Sequence, residues 1–166
     1  MDLLDFDAQD LYFEREDSAE VQTLIRLAAE LYGQQGAELP LLQAYLRAPE
    51  SLNVLVALNR FYYYQHRLTE ALLISEKALD LIRCGLTLPD DWRQMNRQTI
   101  TEAPAEQLTR IRLYLFTLKS IGFLNMRLNN LVLSRSIFEK LTELDAKDRI
   151  GAQGLLELVI NRQAEA

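Results

Sequence analysis

The sequence predicts an all-α fold, and three observations support this class. Between its breaks the chain is dominated by Leu, Ala, Glu, Gln and Arg, the residues that lose least free energy on entering a helix. Only six Gly and four Pro interrupt the 166 residues. Apolar residues recur at spacings of three and four over most of the length, which is the pattern of amphipathic helices packed on a core.

A first helix is predicted to begin at Asp17, because Asp17 and Glu20 have the spacing of a capping box. An apolar stripe follows from Val21 to Tyr32 at helical spacing. Gly33 and Gly36 then end this helix.

Three more helices are predicted in the same half of the chain. A short one covers about 39–46 and stops before Pro49, which cannot continue a helix. A longer pair covers about 52–65 and 69–82, and the turn between its members lies at 66–68.

Residues 83–104 interrupt the helical pattern. Pro89, Pro104 and the Thr-Ile-Thr run at 99–101 surround one short amphipathic piece, residues 90–98. This segment is predicted to be an inserted connector.

The helical pattern resumes at about residue 105 and continues to 127. Asn129 and Asn130 predict a turn into another helix over about 131–144. Asp148 is then predicted to cap a last helix that extends to roughly Arg162.

Helices joined by tight turns suggest a search for repeats. In residues 115–148 the first helix carries Gly122, and the second carries Ser134, then Phe138 four residues on and Leu141 three further. This spacing of small and large residues resembles the tetratricopeptide repeat. Residues 52–85 match in Leu58, Tyr62, Ala71 and Ala78, although Ser75 stands where a large apolar residue is usual; residues 18–51 match in Ala37, Leu41, Ala44 and Pro49.

The resemblance implies stacked antiparallel helix pairs that form a right-handed superhelix with a concave groove. The predicted organisation is an acidic amino-terminal segment over residues 1–17 and a single helical domain over 18–166. Within that domain we predict repeat windows 18–51, 52–85 and 115–148, an insertion at about 86–114 and a carboxyl-terminal capping helix over 149–163. An unrelated helical bundle is the alternative.

Composition excludes several classes of function. The net charge is −6, and residues 1–20 carry eight acids against Arg15 alone, so the chain lacks the basic stripe that nucleic-acid binding requires. No run of about 18 apolar residues predicts a membrane span. Cys84 is the only cysteine and needs no oxidising compartment, so we expect a cytoplasmic protein.

The sequence predicts neither catalysis nor a cofactor. His66 is the only histidine, so a Ser-His-Asp triad has one candidate base, which lies in a turn, and no multi-histidine metal site can form within one chain. No glycine-rich phosphate loop is present. We therefore expect a protein that is not an enzyme and that binds neither metal nor cofactor.

The resemblance also predicts which residues line the groove. Phe61, Tyr62, Tyr63 and Tyr64 are consecutive and cannot all face one core, because each advances about 100° around the helix. In tetratricopeptide stacks the first helix of each pair lines the groove. The predicted protein-binding residues are Asn53, Val56, Arg60, Tyr63, Tyr64, Phe116, Lys119, Phe123, Met126 and Arg127. Alternatively, the connector or the last helix covers these aromatic residues.

The leading prediction is a protein-binding adaptor or dedicated assembly chaperone that holds an extended or helical segment of a partner protein. Its small size and acidity also resemble secretion-type chaperones, and a structural subunit, including a homo-oligomer, is a further alternative. The acidic segment is predicted to be either a solvated tail or amino-terminal helix, or an occupant of the groove. The second alternative rests on the apolar residues among its carboxylates: Leu3, Leu4, Phe6, Leu11, Tyr12 and Phe13.

Overall fold

A computed structural model of the protein describes residues 16–33 and 35–166. These residues are mainly helical and contain no strand, which confirms the all-α prediction. None of the described helices is long and apolar enough to cross a membrane. The tetratricopeptide-like superhelix stays a prediction. The helices are α1 (Ala19–Glu30), α2 (Glu38–Arg47), α3 (Leu52–Tyr64), α4 (Leu68–Arg83), α5 (Arg97–Thr101), α6 (Leu108–Arg127), α7 (Leu131–Leu144) and α8 (Gln153–Glu165).

The chain divides into two compact units after Leu81, within the last turn of α4. The first unit contains α1, α2, α3 and most of α4. The second contains the connector and α5 to α8. The single domain predicted over residues 18–166 stays a prediction, and residues 1–15 of the predicted acidic segment lie outside the described residues.

The first unit begins with an antiparallel helix pair, α1 and α2. Ser18, and not Asp17, caps α1, because the Ser18 hydroxyl oxygen accepts a hydrogen bond from the Val21 amide at 3.3 Å. The Arg47 guanidinium at the end of α2 lies 2.7 Å from the Glu20 carboxylate at the start of α1. This contact shows that the end of α2 lies beside the start of α1, so the two helices are antiparallel.

The α3–α4 pair follows the same antiparallel plan. Ser51 caps α3 by accepting a hydrogen bond from the Val54 amide at 3.3 Å. Leu55 and Val56 of α3 pack against Ala78 of α4, and all three side chains are buried. These contacts hold α3 to α4, so only part of the circumference of α3 stays accessible.

The connector in the second unit differs from the prediction. The predicted amphipathic piece, residues 90–98, divides between two elements: Trp92–Gln94 is a single 3₁₀ turn, and α5 begins at Arg97. The run 99–101, predicted as a break, lies inside α5, because Asn96 and Thr99 form a capping box that starts a helix there.

The connector is also held against α7. The Lys140 ammonium of α7 donates a hydrogen bond to the Met95 carbonyl at 2.8 Å, and Met95 is buried. The Arg97 guanidinium donates to the Glu143 carbonyl at the end of α7, also at 2.8 Å. Although inserted in the sequence pattern, this segment is therefore part of the packed second unit.

In the rest of the second unit, α7 packs between α6 and α8. The predicted start of the long helix at 105 is three residues early, since residues 105–107 form a 3₁₀ turn. Asp148 is not the N-cap residue of α8, because Ala152 occupies that position. It lies in the preceding turn with φ at 49°, and its carboxylate accepts a hydrogen bond from the Gln153 amide, where α8 begins.

The α3–α4 and α6–α7 turns share one geometry. His66 and Asn129 each follow a helix with positive φ, at 56° and 67°. The next residues, Arg67 and Asn130, donate their amides to the carbonyls five positions earlier, at 2.9 and 2.8 Å. Both turns are Schellman motifs, and each places the second helix against the first in the same register.

Candidate protein-binding surface

One side of α3 carries an accessible arginine and two tyrosines, together with Asn53, and we call these four residues the α3 face. Residues 53, 60 and 64 lie within about 40° of one another around a helix. Arg60 and Tyr64 are exposed, and 51% of Tyr64 is accessible to solvent. The Arg60 guanidinium lies 5.5 Å from the centre of the Tyr64 ring, and Tyr63 meets that ring edge-on at 5.3 Å. The face therefore combines positive charge with aromatic surface, as protein-binding hot spots do.

Asn53 links the α3 face to the start of the described chain. Its side-chain amide donates a hydrogen bond to the Asp17 carboxylate at 2.8 Å, and both residues are half-buried. This bond joins positions 36 residues apart. It places Asp17 at the amino-terminal end of the α3 face.

In the second unit, α6 carries a corresponding set, Phe116, Phe123 and Arg127, which we call the α6 face. Phe116 and Phe123 are half-buried, whereas Arg127 is exposed. The Arg127 guanidinium lies 5.9 Å from the centre of the Phe123 ring. This face also pairs an arginine with an aromatic ring across one helical turn.

Three of the predicted surface residues are buried. Val56 is 7% exposed, because it packs against Ala78 of α4 in the core of the first unit. Lys119 is 8% exposed, and its ammonium donates a hydrogen bond to the Ile150 carbonyl at 2.8 Å. Met126 is 2% exposed. The prediction that these three side chains present accessible surface is therefore wrong.

The two faces occupy equivalent positions in their helix pairs. Their shared Schellman turns align His66 with Asn129, and this register also aligns Arg60 with Phe123 and Tyr64 with Arg127. Each pair is separated by four residues, with the arginine first in α3 and the aromatic first in α6. The same position along two helix pairs thus carries an arginine–aromatic pair in opposite orders.

Sequence reasoning missed a difference inside the two helix pairs. Buried Asn59 of α3 donates hydrogen bonds to the Ala71 carbonyl and to the Ser75 hydroxyl, at 3.1 and 2.7 Å. The equivalent positions of the other pair are Gly122 and Phe138. A Cβ atom on Gly122 would lie 2.8 Å from Phe138, so the large ring occupies the space that the glycine leaves. The only sequence signal was Ser75 in the place of a large apolar residue.

A charged cluster near the α3–α4 turn was also missed. The Arg67 guanidinium lies 2.7 Å from the Glu38 carboxylate and 2.9 Å from that of Glu70. The hydrogen bond from Arg67 is the largest cause that holds the pKa of each glutamate below its usual range. Burial and a hydrogen bond with Glu38 raise the pKa of Tyr62 to about 12. The spacing of Arg67 and Glu70 was readable in the sequence, but Glu38 belongs to a different helix.

These lowered pKa values predict an acid-sensitive contact. Since Glu38 and Glu70 bind fewer protons in the folded protein, their contribution to stability is present above pH 4.5, the ordinary glutamate value, and is lost as pH falls through the lower folded-state pKa values. We expect Arg67→Gln to weaken this dependence. Urea unfolding measured between pH 3 and 6, in roughly half-unit steps, tests it.

Arg67→Lys is the matched control, since lysine keeps the positive charge but lacks the planar set of N–H donors with which arginine binds two carboxylates at once. It should retain part of the pH dependence. A wild-type pH profile in Arg67→Gln would contradict this account of the cluster.

Comparison with known proteins finds one described relative over essentially the whole chain. A protein of Azotobacter chroococcum mcd 1, described as an uncharacterized 19.8 kDa protein in the nifW 5′ region, is 39% identical over 165 residues. The match covers 99% of this chain and 92% of the relative. This chain belongs to the family of that protein. No protein-family model matches the chain, and no solved structure matches it.

The matched region of this chain includes the residues of both helix pairs. The relative's name states a size and a genetic position and no activity. The site is therefore defined here by the geometry of α3 and α6.

Proposed function

We propose that the protein is a protein-binding adaptor or assembly chaperone and that the α3 face and the α6 face each contact a segment of a partner protein. The observation that carries the proposal is the repetition of an arginine–aromatic pair at equivalent positions of two helix pairs. Arginine and tyrosine are enriched among residues whose truncation costs most binding energy. Two such pairs, set on rigid helices, supply preformed anchors.

The interior of the helix pairs supports the same proposal. On each helix, the side that packs against the next helix is separate from the face, and it carries Asn59 in α3 and Gly122 in α6. Side chains that are presented by a packed helix lose less conformational entropy on binding than side chains on a loop. We also propose that both pairs are tetratricopeptide-like, because their small residues and Schellman turns recur in one register.

We place this activity in the cytoplasm. Cys84 is a free, exposed cysteine, which suits a reducing compartment. The Azotobacter relative is described by its place in the 5′ region of nifW. The protein encoded by nifW is therefore the first defined partner to test in the host of this chain.

Site-specific photo-crosslinking tests the proposal directly. A photoreactive phenylalanine analogue at position 64 should capture a partner protein in the native host, and the adducts can be identified by mass spectrometry. The same analogue at Leu73 is the matched control, because Leu73 is 65% exposed but lies on α4. We expect capture from position 64, no capture of that partner from position 73, and loss of capture when Arg60→Glu is added.

The affinity for the captured partner gives a quantitative prediction. Tyr64→Ala should weaken binding by about 2 kcal/mol, or roughly 30-fold, if this tyrosine is an anchor. Calorimetry with the purified partner measures the change, and the unfolding midpoint of the variant confirms that its fold is intact. Equal capture from positions 64 and 73, or wild-type affinity in Tyr64→Ala, would place the binding surface elsewhere.

A further inference from the structure

We propose that residues 1–15 of this chain dock on its own α3 face. The occupied state would be an intramolecular contact in which the carboxylates and aromatic residues of that segment meet Arg60 and the tyrosines at positions 63 and 64. This inference rests on the proposed function, because it names both the regulation of the α3 face and the chemistry of the segment that the face accepts.

The hydrogen bond between Asp17 and Asn53 provides the tether. Asn53 is the first residue of the α3 face, and Arg60 and Tyr64 follow it by two and three turns, about 10 and 16 Å along the helix. The segment ends at residue 15, directly before Glu16. Fifteen residues span about 22 Å as a helix and about 50 Å when extended, so the segment can cover the whole face in either conformation.

The charges of the segment and the face are complementary. Residues 1–15 contain five carboxylates and one arginine, so the segment carries a net charge of −4. Arg60 is exposed on the face beside it. Attraction between these groups orients the segment along α3, and it weakens as salt increases.

The apolar residues of the segment supply the other contribution. Leu11, Tyr12 and Phe13 lie within six residues of Asp17, so the tether holds them close to the face. The half-buried Tyr63 and the exposed Tyr64 offer aromatic surface there. A short link within one chain gives an effective concentration in the millimolar range, so even a weak contact is occupied.

The same chemistry defines the partner of the α3 face. A partner that displaces residues 1–15 must offer the same chemistry, a segment that combines carboxylates with aromatic or large apolar residues. Binding of such a segment from another protein is then opposed by the internal one. The free protein would rest with the α3 face covered.

Paramagnetic relaxation in the full-length chain tests the contact. A spin label on Gln9→Cys, in a Cys84→Ser background, should broaden the backbone amide signals of Arg60 and Tyr64. The amides of Leu42 and Leu46 serve as the internal reference, because both leucines are exposed on α2 in the same unit. We expect the broadening at Arg60 and Tyr64 to decrease as salt is raised.

Charge variants test whether electrostatic attraction holds residues 1–15 on the α3 face. Reversing Asp5, Asp7 and Asp10 to lysine should abolish the broadening of the α3 face. Arg60→Gln should reduce it, whereas Arg26→Gln, on the exposed side of α1, should not. Broadening that persists in the charge-reversed chain would overturn the proposed contact.

The same experiment distinguishes docking of residues 1–15 from other occupants of the α3 face. Stronger broadening at Leu42 and Leu46 than at Tyr64, or no broadening in either place, overturns the inference. Broadening in a mixture of isotope-labelled chain with separately spin-labelled chain, but not within one chain, assigns the face to a second copy and also overturns it. Partner capture from position 64 without relaxation at Arg60 would leave the proposed function standing and remove only the internal contact.

Discussion

Gly122→Leu is expected to lower the free energy of unfolding by about 3 kcal/mol, with a smaller loss for Gly122→Ala. A Cβ at this position would lie 2.8 Å from the Phe138 ring and 2.9 Å from the Ile137 side chain. Both neighbours are at most 1% exposed, so the surrounding core leaves them little room to move. Overpacking of this kind costs about 1–3 kcal/mol, and leucine adds three more carbon atoms to the clash. Urea unfolding monitored by circular dichroism measures the loss.

Gly154→Ala is the matched control. Gly154 also lies within a helix, α8, but nothing lies within 4 Å of the position that its Cβ would occupy. Alanine should therefore stabilise the protein there by about 0.5–1 kcal/mol, through helix propensity alone. If Gly122→Ala stabilised the protein as Gly154→Ala does, α6 and α7 could not approach each other as closely as described here.

The helices were predictable where local signals define them. The helix predicted over 131–144 has the same limits as α7, and the one predicted over 52–65 ends one residue after α3. In both cases an amphipathic stripe lies next to a polar turn. Such signals depend only on residues within one or two turns of each other, so the sequence carries them completely.

The connector shows where local signals were insufficient. The run 99–101 is rich in β-branched residues, which argued against a helix, but the Asn96 capping box and contacts with α7 override that preference. The ammonium of Lys140 reaches the connector from 45 residues away. No short-range pattern indicates such a contact.

The candidate site was partly predictable for a related reason. Helical periodicity places Arg60, Tyr64 and Arg127 away from the core, and they are exposed. The tetratricopeptide resemblance predicted Lys119 to be accessible, yet its ammonium donates a hydrogen bond to the Ile150 carbonyl, 31 residues later. Periodicity identifies the residues that share a face of a helix. It does not identify the later segments that cover the face.

The α3–α4 pair should tolerate Ser75→Phe poorly. Buried Ser75 accepts a hydrogen bond from Asn59 at 2.7 Å, and a phenylalanine there would remove that bond and enter the space that Asn59 fills. Overpacking and an unsatisfied buried amide together should cost about 4 kcal/mol. Thermal and urea unfolding both measure this loss. A variant as stable as the wild type would show that α3 and α4 are not tightly packed at this level.

A second change should recover part of that stability. The equivalent positions of α6 and α7 hold Gly122 and Phe138, so Asn59→Gly combined with Ser75→Phe recreates in α3–α4 the combination that α6–α7 already accommodates. We expect the double variant to be more stable than Ser75→Phe alone, with a coupling energy of about 1–3 kcal/mol in a double-mutant cycle. Asn59→Gly combined with Leu73→Phe is the control, because Leu73 is exposed and should show additive effects. Additive losses at positions 59 and 75 as well would mean that the two helix pairs share a turn but not the packing beneath it. The equivalence of the α3 face and the α6 face would then lose its structural basis.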